Sequence, residues 1–272
     1  MTRLTKTVTD QMGREVIVSQ RPSRIISLVP SQTELLFYLG LDAKIVGLTK
    51  FCVHPADRVH LKQSVGGTKQ LRFDVIEALQ PDLIIGNKEE NDRDSILRLA
   101  ESYPVWMSDI VTLSDALEMI RQIGESVDRA TAADQLADQI DDSFTTLQPL
   151  PQPLRVGYFI WQNPYMAAGE DTFIHEMMAL CGFVNGFAGA GNGRYPELTA
   201  GSIRAAELEA ILLSSEPFPF QEKHRMAWAA EFPGVPIYLV DGEMFSWYGP
   251  RLLKAVPYLQ ELIGRLSGIG VR

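Results

Sequence analysis

Apolar residues recur every three or four positions from Leu113 to Leu147, through Leu117, Ile120, Ile123, Val127, Ala130, Ala133, Ala137, Ile140 and Phe144, while the opposite positions are charged or polar. That period marks one buried face of a helix. Thr112 caps the first turn with Asp115 at the third position, and the run Gln148-Pro149-Leu150-Pro151-Gln152-Pro153 forbids continuation. The spacing predicts one rigid helix over 112–147, about 50 Å long at 1.5 Å per residue. A rod of that length joins two lobes; the competing arrangement is a crossover helix inside one large α/β domain.

On either side of this helix the period switches between two and three to four. Thr7 to Val18 alternates around Asp10-Gln11-Met12-Gly13 and reads as a hairpin. Arg24 to Val29 is a buried-strand run, and Ser31 with Glu34 forms a capping box for a helix that Gly40 closes. Lys44 to Leu48, Asp82 to Ile85 and Val105 to Met107 read as further strands, with helices at Phe73 to Leu79 and Glu90 to Ser102. Beyond the long helix, Arg155 to Ile160, Ala210 to Leu213 and Pro236 to Val240 read as strands. Helices are expected near Thr172 to Leu180, Ser202 to Leu208, Gln221 to Phe232 and Pro250 to Leu266. Alternating strands and helices imply mainly parallel sheets. The fold class is α/β: an N-terminal lobe over 1–111, the connecting helix over 112–147, a C-terminal lobe over 148–272, and a ligand cleft between the lobes. Ile76 to Ile85 also echoes Ile203 to Leu213, each a short helix feeding an apolar strand.

With 272 residues, 46% hydrophobic and 22% charged, the chain has enough apolar material for two ordinary cores. A net charge of −9 without any basic run excludes a nucleic-acid partner. No window reaches the about 18 consecutive apolar residues of a membrane span. Met1 to Gln20 lacks the apolar core of a secretory signal. As written the chain is expected in the cytoplasm, or outside it if a signal segment was removed. Cys52 and Cys181 fall on opposite sides of the long helix and are expected as free thiols.

In open parallel sheets ligands meet the loops that follow the strands. Here those loops carry Phe51, Trp161, Tyr165, Tyr195, Phe245, Trp247 and Tyr248, beside glycines and prolines that suit rigid exposed turns. Such rings build a wall for a large flat or apolar ligand; the alternative is that they pack the lobes together. Val65-Gly66-Gly67-Thr68-Lys69 has the glycines of an anion cradle without Walker or dinucleotide spacing. The four histidines fit no tight metal spacing, and His54, beside Cys52, is the best single candidate. Cys52 and His54 lack a third orienting group for nucleophilic catalysis, so a non-enzyme is expected.

Arg24 to Glu34, Leu79 to Ile85 and the long helix together resemble the class III substrate-binding proteins of ABC importers, the helical-backbone metal receptors, over nearly the whole chain. Within that family Phe51 to Pro55, Val65 to Lys69, Asn87 to Asn91 and Asp241 to Arg251 are most similar to the cobalamin-binding branch. The resemblance implies two α/β lobes, no intrinsic cofactor, no catalysis, and a metal chelate as ligand: cobalamin first, then haem or a ferric siderophore. Phe51, Trp161, Trp247 and Tyr248 are the expected walls, with Pro30, Tyr165, Tyr195 and Phe245 also in the ligand-binding set. Lys69 and Arg251 are expected at peripheral carboxylates or amides and His54 as an axial ligand. A bare divalent metal on His54, Glu90 and other acids, and an α/β enzyme using the same cleft, are the remaining alternatives. Family members dock on a membrane permease through one acid per lobe. The matching positions here are Asp74 and Gly201, so one anchor is missing and two-point docking is not expected.

Overall fold

A computed structural model describes residues 4–190 and 193–268. The chain divides into two compact units: Met1–Ile110, Ser114–Asp142 and Tyr248–Arg251 form the first, and Val111–Leu113, Ser143–Trp247 and Leu252–Arg272 the second.

The first unit opens with an antiparallel hairpin of β1 (Thr5–Thr9) and β2 (Glu15–Ser19). Its turn is tied by Asp10, whose Oδ1 accepts from the Met12 and Arg14 amides. The unit's sheet is built from β3 (Ile25–Ser27), β4 (Ile45–Leu48), β5 (Gln63–Ser64), β6 (Leu83–Asn87) and β7 (Val105–Ser108), all parallel in the order β5-β4-β3-β6-β7. The fully buried Ile25, Ile26, Leu83, Ile84 and Ile85 explain why the central strands read as continuous apolar runs.

Helix α1 (Pro30–Tyr38) follows β3. Gly40, at φ +72°, ends it: its amide donates to the Phe37 carbonyl and that of Leu41 to the Leu36 carbonyl. This is the Schellman arrangement that a left-handed glycine permits. The expected capping box is absent. Val29 is the N-cap without a side-chain bond, Pro30 occupies the first turn, and Glu34 is engaged by Arg251 instead. Helices α2 (Phe73–Leu79) and α3 (Arg93–Ala100) complete the strand connections, α3 being capped by Asp92, which accepts from the Ser95 amide.

The expected single helix over 112–147 is two helices, α4 (Leu113–Ser126) and α5 (Ala130–Thr145). Asp128 breaks it at φ +62°. The Arg129 amide donates to the Gly124 carbonyl and the Asp128 amide to that of Glu125, a Schellman stop with aspartate where glycine is usual. Gly124 then lets the helices approach closely: a Cβ there would lie 2.1 Å from Ala133 Cβ. The apolar period crosses the break without a fault because both helices bury the same stripe, Ile120, Ile123, Val127, Ala133, Leu136 and Ile140. Within 112–147, Ser114–Asp142 cluster with the first unit and the residues at either end with the second.

The second unit contains β8 (Leu154–Trp161), β9 (Tyr165–Ala167), α6 (Phe173–Leu180), β10 (Phe183–Asn185), β11 (Glu197–Leu198), α7 (Ala200–Ala205), β12 (Ala210–Ser214), α8 (Glu222–Glu231), β13 (Ile237–Val240), α9 (Glu243–Ser246) and α10 (Leu252–Leu266). Strands β10, β8, β12 and β13 are parallel, and β9 and β11 add an antiparallel edge. The edge begins at Asn163, whose left-handed φ of +62° turns the chain back on β8. One core cluster packs Phe159, Phe187, Ile211, Leu213, Phe220, Trp228 and Phe232, with the Phe159 and Trp228 rings 4.6 Å apart.

The sequence echo has a physical counterpart. Arg24 Nε donates to the Leu79 carbonyl and its own carbonyl accepts from the Asp82 amide; Arg155 Nε donates to the Ala206 carbonyl and its carbonyl accepts from the Glu209 amide. The acids return the favour, Asp82 accepting from the Arg24 amide and Glu209 from the Arg155 amide. Gln80 and Glu207, which follow α2 and α7, are both left-handed. Asp74 and Gly201 consequently stand at the same step of α2 and α7.

Candidate functional site

In the first unit the strand order reverses between β3 and β6, where ligands of open parallel sheets bind beyond the carboxyl ends. The loop after β4 is pinned from beneath by Cys52, whose Sγ lies 3.0 Å from Thr33 Oγ1 and 3.3 Å from Thr49 Oγ1. Burial pushes that thiol above its ordinary pKa, and its bonds to the two threonines anchor the loop. Its neighbours point the other way: Phe51 is 50% exposed and Val53 46%. His54 is half-buried on the same loop.

The glycines of the next loop shape a tight turn. Gly66 adopts φ +104°, and a Cβ on it would lie 2.4 Å from the Gln70 carbonyl oxygen. The Gly67 amide donates to that same carbonyl. The Gln70 amide donates back to the Gly67 carbonyl, and the bare face of Gly67 receives the side chains of Phe51 and Lys50. Lys69 is also occupied, its ammonium bonded to the Glu89 carbonyl.

Behind these loops lies a buried polar network that the sequence did not announce. Gln32 Nε2 donates to Ser108 Oγ at 2.6 Å, Asn87 Nδ2 donates to the same oxygen at 3.0 Å, and Asn91 Nδ2 donates to the Leu28 and Thr68 carbonyls. The signal was available only in retrospect, as amides at strand ends inside apolar runs. Tyr248 joins this network through Ser31 and Ser108, and burial drives its phenol pKa well above the usual value. Arg251 is buried in a two-pronged bond to Glu34. Tyr248 and Arg251, both expected in the ligand-binding set, belong to the first unit, where each is buried and held by partners from α1 or β7.

In the second unit the carboxyl ends of β8, β12 and β13 carry Trp161, Ser214 and Val240. Trp161 is 38% exposed with its ring edge-on to Phe218 at 5.4 Å. Three other aromatic candidates of this unit pack against neighbouring side chains. Phe245, expected in the ligand-binding set, is fully buried, 4.9 Å from the Tyr158 ring. Tyr165 packs on Trp228 and donates to Glu231 at 2.6 Å; burial, then that carboxylate, pushes its pKa up to about 12. Trp247 is buried, and its indole donates to Glu216 Oε1 at 2.8 Å, an oxygen that also accepts from Ser246 Oγ at 2.6 Å. Burial raises the Glu216 pKa, assisted by Glu243 and Asp241. Tyr195 is half-buried, as is Pro30 at the start of α1. Asp74 is exposed on α2, with Arg72 3.5 Å away. Gly201 is exposed on α7.

Among the described residues no three His, Cys, Asp or Glu side chains converge as a metal site, and no helix is long and apolar enough to cross a membrane.

The sequence pattern of the periplasmic binding protein family matches residues 25–229. The chain belongs to that family. This binding protein is 26% identical to an ABC transporter substrate-binding lipoprotein of Bacillus subtilis, over 94% of its own length and 85% of the relative's. It is 25% identical to a vitamin B12-binding protein of Pectobacterium atrosepticum, over 90% of both chains. Its fold is that of a periplasmic heme-binding protein of Roseiflexus in apo form, with a TM-score of 0.78, 21% identity, and coverage of 91% and 98% of the two chains.

Proposed function

We propose that this protein is the solute-binding component of an ABC importer and holds a large metal chelate, cobalamin first, without turning it over. The observation that carries the reading is an exposed ring in each unit near a strand carboxyl end, Phe51 beside the buried Cys52 in the first and Trp161 directly after the buried Ile160 in the second. Exposed aromatic surface on a fixed backbone suits a flat apolar ligand, since little side-chain freedom is lost on binding. Relatives over nearly the full chain include vitamin B12-binding proteins. Haem, another flat chelate, and ferric siderophores are the alternatives. A bare divalent ion is disfavoured, because such a site needs three or four converging ligands. Docking on a permease is proposed to rest on Asp74 alone, since Gly201 supplies no charge at the equivalent step of α7.

The experiment is absorption and tryptophan-emission titration of the purified protein with cobalamin, haem and a ferric siderophore, beside metal analysis. Cobalamin binding with quenching of tryptophan emission is the expected result. Stoichiometric zinc or manganese with no chelate binding would overturn the reading.

A further inference from the structure

The loops that follow the strands of the first unit contain several cations, and nearly all are committed. Lys69 is bonded to the Glu89 carbonyl, Lys88 pairs with Asp109 and Arg58 with Asp42. Lys50 differs. Its ammonium lies 5.0 Å from the centroid of the Phe51 ring, and among the described residues no carboxylate pairs with it. The contact is built by the backbone. The Lys50 amide donates to the Gly66 carbonyl at 2.8 Å. A Cβ on Gly67 would lie 3.3 Å from Phe51 Cε2 and 3.5 Å from Lys50 Cε, so the bare glycine seats both side chains.

We infer that Lys50 is a specificity-determining residue of the proposed site. A flat ligand that stacks on the exposed face of Phe51 displaces the ammonium from the ring. The displaced charge then needs a partner, and an anionic group at the ligand's edge provides one. A chelate with such a group recovers the lost cation–π attraction as a charge-assisted contact; a neutral-edged analogue does not. The shared chemistry is an anion at the rim of a flat metal chelate. It comes from a phosphodiester in a complete corrinoid or from carboxylates in a porphyrin. The inference rests on the chelate-binding function proposed above.

Two ligand pairs separate the sources: cobalamin against cobinamide, which lacks the phosphodiester and nucleotide, and haem against its dimethyl ester. Dissociation constants are measured for wild type, Lys50→Met and, as a control on a cation already paired with Asp109, Lys88→Met. Lys50→Met is expected to lower the preference for the anionic member of whichever pair binds by about two- to fivefold at low salt, the scale of exposed cation–π and ion-pair contacts. It should leave affinity for the member without the rim anion equal or slightly improved, and Lys88→Met should leave the ratio unchanged. A ratio unaltered by Lys50→Met while both members bind overturns the inference and spares the functional reading. Wild type that binds neither pair overturns both.

Discussion

Arg251 grips Glu34 with two bonds, Nη2 to Oε1 at 2.8 Å and Nε to Oε2 at 3.0 Å, across 217 positions of sequence. The side chains are only 7% and 16% exposed. Together with Tyr248, this pair holds the segment Tyr248–Arg251 in the first unit while the residues on both sides of it belong to the second. Gly249, at φ +114°, allows the segment to run against the Ser31 carbonyl, 3.4 Å from where a Cβ would stand.

Removing one partner of a largely buried pair leaves the other charge uncompensated, at a cost of about 3–5 kcal/mol. Arg251→Met and Glu34→Leu should each destabilise the protein on that scale, and the double variant should recover most of the loss. Chemical denaturation of the four proteins measures the coupling. Additive losses would mean that the pair does not act as a unit.

Asp128 holds a left-handed conformation that costs a non-glycine residue about 1 kcal/mol. Its ion pair with Arg21 is solvent-exposed and contributes little. Asp128→Gly should therefore raise stability by about 0.5–1 kcal/mol, measured as a shift in the denaturation midpoint. Gly124→Val should do the opposite by at least about 2 kcal/mol, because α4 and α5 would be forced apart.

Glu216 supplies a pH dependence whose sign is opposite to that of a salt-bridged acid. Its folded pKa is raised above 4.5, first by burial and then by Glu243 and Asp241. In the window between 4.5 and that raised value the folded protein binds more protons than the unfolded chain, so this group's contribution makes stability rise as pH falls. Thermal midpoints of wild type minus Glu216→Gln, followed with pH, should show that slope. Emission from Trp247, bonded to the same carboxylate, should change over the same interval. A flat difference would mean that Glu216 titrates normally.

Ligand affinity should follow exposure and not aromatic content. Losing an exposed ring that stacks on ligand costs about 1–3 kcal/mol, so Phe51→Ala and Trp161→Ala should weaken cobalamin binding by about 5- to 100-fold. Phe245→Ala should act on folding instead, lowering stability by about 3–5 kcal/mol. Titration beside denaturation distinguishes the two classes. Equal affinity in both ring variants would remove the proposed contact surface.

An acid installed on α7 tests the docking proposal. A Cβ at Gly201 meets only Thr199 Oγ1, at 3.6 Å, so Gly201→Glu fits sterically, and the charge favours the amino end of the helix. The expected outcome is tighter association with the cognate permease, with Asp74→Ala weakening it, both read by binding to reconstituted permease. Association unaffected by Asp74→Ala would show that this acid is not the anchor.

The strand and helix alternation was legible in the sequence because apolar period is a local property: α2 lies where it was expected, at Phe73–Leu79, and the Gly40 stop needs only the residues around it. The relation of Arg24 to Leu79 and of Arg155 to Ala206 was foreshadowed by a repeated helix-strand pattern for the same reason. The break at Asp128 was not legible, since the buried stripe runs straight through it and the stop is made by an aspartate whose strain neighbouring contacts outweigh. Nor was the division of the loop aromatics. Phe51, Phe245, Trp247 and Tyr248 share a composition and a loop setting, yet Cys52 beneath one turns Phe51 outward, while Tyr158, Glu216 and Ser108 draw the others in. Those partners lie from one to well over a hundred residues away. Which ring faces solvent is fixed by burial and hydrogen bonding summed over such contacts, and only the tertiary structure decides that sum.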